Sequence, residues 1–329
     1  MSTGGYLPVH GGHRIYYETH GDPSAPPLIV LHGGPGGGMQ PELLPLFAGW
    51  YTIMYDQRGC GRSQPFGELH CNRTPDLVAD IEALRTSLGV KRWTVYGGSW
   101  GTTLALAYVL EHPDAVRALI FRGTCLCEES TFRWMYERGG AAEIYPDAWA
   151  KFVKDVPQRI QGAGWKALVQ WYHDRIRRGG AVGRKAAEAW WRWEWSLSRL
   201  IPGTKDAGGA MAIALLETHY FLHGCWLPHL IRDLRRKRTA LRRIPLTMVH
   251  GRYDLVCPLS GVETLKQVMP HARLVIVPEA GHSTADMMPE VRREIRRMRL
   301  IVTRATRARR GTRASKRVSN GTVKRRASK

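Results

Sequence analysis

Residues 95–103 read VYGGSWGTT and set Ser99 between Gly97-Gly98 and Gly101. A serine hydroxyl becomes a useful nucleophile only when a base takes its proton, and the base needs an acid to orient it. Far downstream, VHGRYDLVCP presents Asp254 in a loop after one apolar run, and VPEAGHS presents His282 in the loop after the next. The order Ser99, Asp254, His282 suits acyl transfer through a covalent ester, with the serine on a sharp strand-to-helix turn. G-x-S-x-G alone is a weak pattern in a chain with 35 glycines, so the context decides. WTVY before it is strand-like, and GTTLALAY after it is helix-compatible with small side chains nearest the serine. Such a turn strains the serine backbone, exposes Oγ and aims the new helix's N-terminal dipole at any anion formed there. The competing reading is a hydroxyl in a tight structural turn.

Other residues compete for these roles. Asp56 in YDQRG also follows a strand-like run, but it precedes the serine and reads as a brace for its own turn. Asp286 shares the loop of His282. His32 opens HGGPGGG and reads as a structural loop histidine, while the glycines after it let backbone amides approach an oxyanion. The amides of Gly34 and Trp100 are the candidate donors.

These groups need a rigid platform. Runs starting at Leu28, Tyr51, Trp93, Ala118, Pro245 and Arg273 are apolar throughout rather than alternating, as in strands buried on both faces. Helical stretches between them, including 76–87 and 101–111, predict an α/β fold with a mostly parallel sheet. From about Cys125 to Arg243 strand-like runs give way to tryptophans and helical spacing. Trp165, Leu168, Val169, Tyr172 and Ile176 mark one helix face, and 186–200 and 208–222 read as further helices. The expected organisation is a core in two parts, 1–124 and 244–302, a helical cap at 125–243, and a basic tail at 303–329.

With 329 residues and 43% apolar content, the chain can bury a large core. Its net charge of +21 owes about half to the tail, where eleven Lys or Arg stand with no acid. The tail has almost no large apolar residue and is expected to be disordered, aiding solubility; a second reading gives it weak sequence-independent contact with nucleic acid. The basic cluster at 232–243 reads as an exposed helix face. Six scattered cysteines read as free thiols, with Cys125-x-Cys127 only a faint metal hint, so no metal or organic cofactor is expected. The N-terminus lacks the pattern of a secretory signal and no window reaches the length of a membrane helix, which predicts a cytoplasmic protein.

HGGPGGG, DQRGCGRS, GGSWGTTLALAY, HGRYD and EAGHS, in this order and spacing, resemble the proline iminopeptidases of the α/β-hydrolase superfamily. The similarity runs from about Tyr16 to about Met298 and includes the fragments YPDAW and ETHYF. It implies an α/β-hydrolase core with an inserted helical cap and an enzyme that removes a single N-terminal proline from peptides. It also implies cap carboxylates for the substrate's secondary ammonium, and Glu194 and Glu217 stand at the matching positions; each also reads as a solvated helix-face glutamate. Trp134, Tyr145, Trp193 and Tyr220 are candidate pocket walls. The chain departs from the family where Glu128 stands in place of an expected basic residue, and where the segment between Glu194 and Glu217 looks short. Alternative functions are hydrolysis of esters, lactones or other amides on the same core, and a binding protein that uses the basic tail.

Overall fold

A computed structural model of the chain describes residues 3–201 and 209–326, with side chains as far as 305. The chain opens with a hairpin, β1 (Thr3–Pro8) and β2 (Arg14–His20), followed by β3 (Pro27–Leu31), β4 (Tyr51–Tyr55), β5 (Trp93–Gly98), β6 (Val116–Arg122), β7 (Leu246–Gly251) and β8 (Arg273–Val277). They form one sheet in the order β1-β2-β4-β3-β5-β6-β7-β8, antiparallel in the β1–β2 and β2–β4 pairs and parallel from β4 to β8. The six strands read from apolar runs are all present.

The doubly apolar strands divide their side chains between two cores because successive residues point to opposite faces. On β3, Ile29 and Leu31 join one core while Leu28 and Val30 join the other. Helices α1 (Thr74–Ser87) and α2 (Trp100–Glu111) cover the first face, burying Leu77, Ile81 and Leu84 and almost the whole of α2. The second face is covered by the start of the C-terminal helix, whose Met287, Val291, Ile295, Met298 and Val302 recur at helical spacing.

Between β6 and β7 the chain runs through α3 (Glu129–Tyr136), α4 (Pro146–Phe152), α5 (Gln158–Gln161), α6 (Trp165–Arg177), α7 (Gly180–Ser198), α8 (Ala210–Leu222) and α9 (Leu230–Leu241). The face expected on α6 is buried in full. Tyr136, Phe152, Tyr172 and Trp190 pack by stacked and edge-to-face contacts into an aromatic centre for this insertion. On α9, Leu230, Leu234 and Leu241 turn inward, and arginines occupy its exposed side. After β7 come α10 (Leu259–Val268) and α11 (Thr284–Arg326).

The backbone of 303–326 continues α11, where the sequence reading expects no structure. Arg, Lys and Ala are good helix formers, and the packed first turns of α11 already supply the nucleus that an isolated tail lacks. The tail's side chains past 305 lie outside the described residues. Among the described residues no helix is long and apolar enough to cross a membrane.

Candidate active site

Ser99 sits at the turn from β5 into α2 with φ of 55°, a left-handed backbone that a serine adopts only when its surroundings impose it. Its N–H donates to the carbonyl of Arg122 at 2.9 Å, and its own carbonyl accepts from Thr102 N–H at 2.8 Å. The flanking glycines are dictated by close approach. A Cβ on Gly97 would lie 2.5 Å from the Gly101 carbonyl oxygen, and one on Gly101 would lie 2.1 Å from that of Leu31. The turn closes only with both side chains absent.

The three residues singled out by type and order meet in one line. His282 Nε2 is 2.9 Å from Ser99 Oγ, and His282 Nδ1 is 2.7 Å from Asp254 Oδ2. The other carboxylate oxygen, Oδ1, accepts from the amides of Val256 at 3.1 Å and Cys257 at 2.8 Å. Burial works to raise the Asp254 carboxyl, but the facing imidazole and the donated amide outweigh it and hold it below its ordinary value. Asp254 is therefore ionised and fixed, and it orients Nδ1–H so that Nε2 is free to accept from the serine.

Two supports of this line escaped the sequence reading. Thr124 N–H donates to His250 Nδ1 at 3.0 Å, which leaves the proton on Nε2, 2.8 Å from the Cys257 carbonyl. Burial lowers the His250 pKa, so a neutral ring lies 3.4 Å from Asp254 Oδ2. Arg122, almost fully buried, donates to the His282 carbonyl at 2.9 Å. Both stand at strand ends, in VHG and FRG, and a polar residue closing an apolar run is the signal that could have found them.

The proposed amide donors lie on either side of Ser99. Trp100 opens α2, so its N–H has no acceptor within the helix. Gly34 lines the cavity that Ser99 opens into, and Gly33 lies so close that an added Cβ would sit 3.1 Å from that of Ser99. His32 is structural, as expected: its Nε2 accepts the Gln57 amide at 3.0 Å, and Gln57 Oε1 accepts from the Trp100 indole at 2.9 Å. Asp56 braces the turn beside them, accepting from the amides of Met39 at 2.7 Å and Arg62 at 2.8 Å.

The far side of the cavity belongs to the insertion. On α7, Trp191, Glu194, Trp195 and Ser198 share one face, and on α8, Ile213, Glu217 and Phe221 do so; all line the space opposite Ser99 and His282. Glu217 is buried and accepts from the Trp190 indole at 2.7 Å, while half-buried Glu194 accepts from the Tyr136 hydroxyl. The two carboxyl groups also hydrogen-bond to each other, and burial pushes both above the ordinary carboxylate range, Glu217 further because the Glu194 charge adds to it. Without a cation, both groups are therefore biased toward their protonated forms.

The named pocket walls need correction. Trp193 and Tyr220 are buried and turn into the interior, donating to the Met135 carbonyl at 3.0 Å and the Asn72 side-chain oxygen at 2.8 Å. Trp134 and Tyr145 donate to the carbonyls of Leu255 and Arg199. The aromatic walls are instead Phe132, Trp191, Trp195 and Phe221. Adjacent tryptophans on a helix point about 100° apart, so a cluster such as WWRWEW cannot be assigned to one face without its neighbours. Glu128 lines a neighbouring groove with Trp165 and His229, away from Ser99.

Residues 26–286 match the family model described as the alpha/beta hydrolase fold. A proline iminopeptidase of Neisseria meningitidis is 42% identical over 287 residues, covering 86% of this chain and 91% of the relative. One from Arabidopsis thaliana is 40% identical over 293 residues, covering 85% and 75%. Among solved structures, the proline iminopeptidase-related protein from Thermus thermophilus is 26% identical with a TM-score of 0.58, covering 92% of this chain and 98% of that one. An esterase from Exiguobacterium antarcticum, 18% identical with a TM-score of 0.60 and covering 92% and 100%, shares the fold. Identity of this depth across most of both chains settles ancestry: this chain belongs to the proline iminopeptidase family of α/β-hydrolase-fold proteins.

Proposed function

We propose that the chain is a serine aminopeptidase that releases N-terminal proline from peptides. The observation that carries the reading is the pair of carboxyl groups, half-buried Glu194 and buried Glu217, facing Ser99 and His282 across one cavity. A buried acid pair without a cation is costly, and a secondary ammonium supplies the missing charge. Segment 125–243 acts as a cap over the core formed by 1–124 and 244–302, and the walls from Trp191, Trp195, Phe132 and Phe221 receive the pyrrolidine ring.

In this reading Ser99 Oγ attacks the prolyl carbonyl as its proton passes to His282 Nε2. Asp254 stabilises the imidazolium, and the amides of Gly34 and Trp100 stabilise the tetrahedral oxyanion. His282 then protonates the leaving amine, and water hydrolyses the prolyl ester by the same steps. The test compares release from Pro-, Ala- and Leu-arylamides with an N-blocked Pro-arylamide. Free Pro-arylamide should be cleaved fastest and the blocked compound hardly at all; cleavage of the blocked compound alone would point instead to an esterase-like or amidase specificity on the same core.

A further inference from the structure

Four of the six cysteines, contributed by three separate segments, gather in one cluster. Cys125 Sγ lies 3.8 Å from Cys127 Sγ, and the thiols of Cys257 and Cys225 act on Cys125 and Cys127 respectively. Cys225 and Cys257 are buried and Cys125 and Cys127 half-buried, and Cys125, Cys127 and Cys257 line the cavity of Ser99. The backbone of Cys125 is pinned to α2, its N–H donating to Thr102 Oγ1 at 2.8 Å and its carbonyl accepting from Thr103 Oγ1 at 2.8 Å. The triad uses none of these sulfurs. Thiols donated by Cys127 and then Cys257 hold Cys125 well below the ordinary thiol range, and the thiolate is the reactive form.

We propose that Cys125 and Cys127 form an oxidisable dithiol, a modification site for hydroperoxides that shuts the cavity when oxidised. The Cys125 thiolate attacks the hydroperoxide oxygen and takes it as a sulfenic acid; the O–O bond breaks, and the departing alkoxide or hydroxide takes up the proton that Cys125 released on ionising and leaves as alcohol or water. The Cys127 thiol then attacks that sulfur, the S–O bond breaks, water leaves, and a disulfide forms. Two thiols have lost two electrons and the O–O bond has gained them. Closing the sulfurs from 3.8 Å to ~2.0 Å draws in the loop that begins at Gly123, where an added Cβ would lie only 2.9 Å from the His282 ring. The disulfide thus narrows the cavity and disturbs the base together.

The test treats the full chain with hydrogen peroxide, maps peptides without reduction and follows arylamide hydrolysis relative to each variant's untreated sample. The expected result is a Cys125–Cys127 cross-link lighter by two hydrogens, with kcat/KM reduced about tenfold or more and restored by dithiothreitol. Cys127→Ser should leave a sulfenic acid at Cys125 that dimedone traps, and Cys125→Ser should give neither cross-link nor adduct. Unmodified thiols at Cys125 and Cys127, a cross-link of Cys125 to Cys257, or a Cys125–Cys127 disulfide that leaves hydrolysis unchanged would each overturn the proposal. The inactivation arm rests on the hydrolase reading, but the cross-link is read by mass without a substrate, so failures of the two readings are separable.

Discussion

The floor and the roof of the cavity solve opposite electrostatic problems. On the floor, the reacting groups each have a complementary partner: Asp254 has an imidazole and two amides, His282 has Asp254 and Ser99, and Arg122 holds the carbonyl of His282. On the roof, two carboxyl groups of like charge face each other, and although Tyr136 and Trp190 each donate to one of them, no cation offsets them. Pairing along the line Asp254, His282 and Ser99 makes the floor rigid, which suits groups that must be placed to within a fraction of an ångström. Incomplete pairing makes the roof selective, because an arriving cation gains what the site lacks. The two are joined where Ser283, next to His282, donates its amide to the carbonyl of Ser198 at the end of α7, at 2.9 Å.

The contrast is open to direct attack. Ser99→Ala removes the nucleophile and should lower kcat by at least ~10⁴ with the KM for Pro-arylamide little changed; an active variant would break the assignment of the floor. Glu194→Gln with Glu217→Gln should raise KM for free Pro-arylamide about 10²-fold while leaving hydrolysis of simple esters intact, and equal losses on both substrates would remove the roof's role in recognition. Gly123→Ala places a methyl against His282 at a backbone φ of 57° that alanine resists. It should cut kcat roughly tenfold at constant KM, showing that the floor fails through position alone.

The smallest effect is on stability. The folded Glu217 carboxyl titrates above its unfolded value, so its contribution is fully present below the unfolded pKa and declines as pH rises through the folded one. Glu217→Gln should therefore raise Tm by about 2 °C at pH 7 and leave it nearly unchanged at pH 4, as read by calorimetry. In the parent chain the same shift should make KM rise as pH falls through the pair's titration.

The floor was legible in the sequence because its residues stand at strand ends, and a buried parallel strand announces itself as an unbroken apolar run. Ser99, Asp254 and His282 could be placed from those runs alone. The hairpin β1–β2 could not, since TGGYLP is an exposed antiparallel edge with no apolar run to mark it. The roof was legible only in part. Glu194 and Glu217 were found through family resemblance, whereas their hydrogen-bond partners Tyr136 and Trp190 lie on different helices whose relative rotation no local pattern records. The same rotation hid which tryptophans face the cavity.

The raised proton affinity of Glu194 and Glu217 has a thermodynamic consequence. In the proposed function a prolyl ammonium displaces a proton held by the pair, which leaves for bulk water, so association is also an acid release. The heat of association measured by titration calorimetry then includes the ionisation enthalpy of whatever buffer accepts the proton, and the slope of observed heat against that enthalpy counts protons displaced per substrate bound.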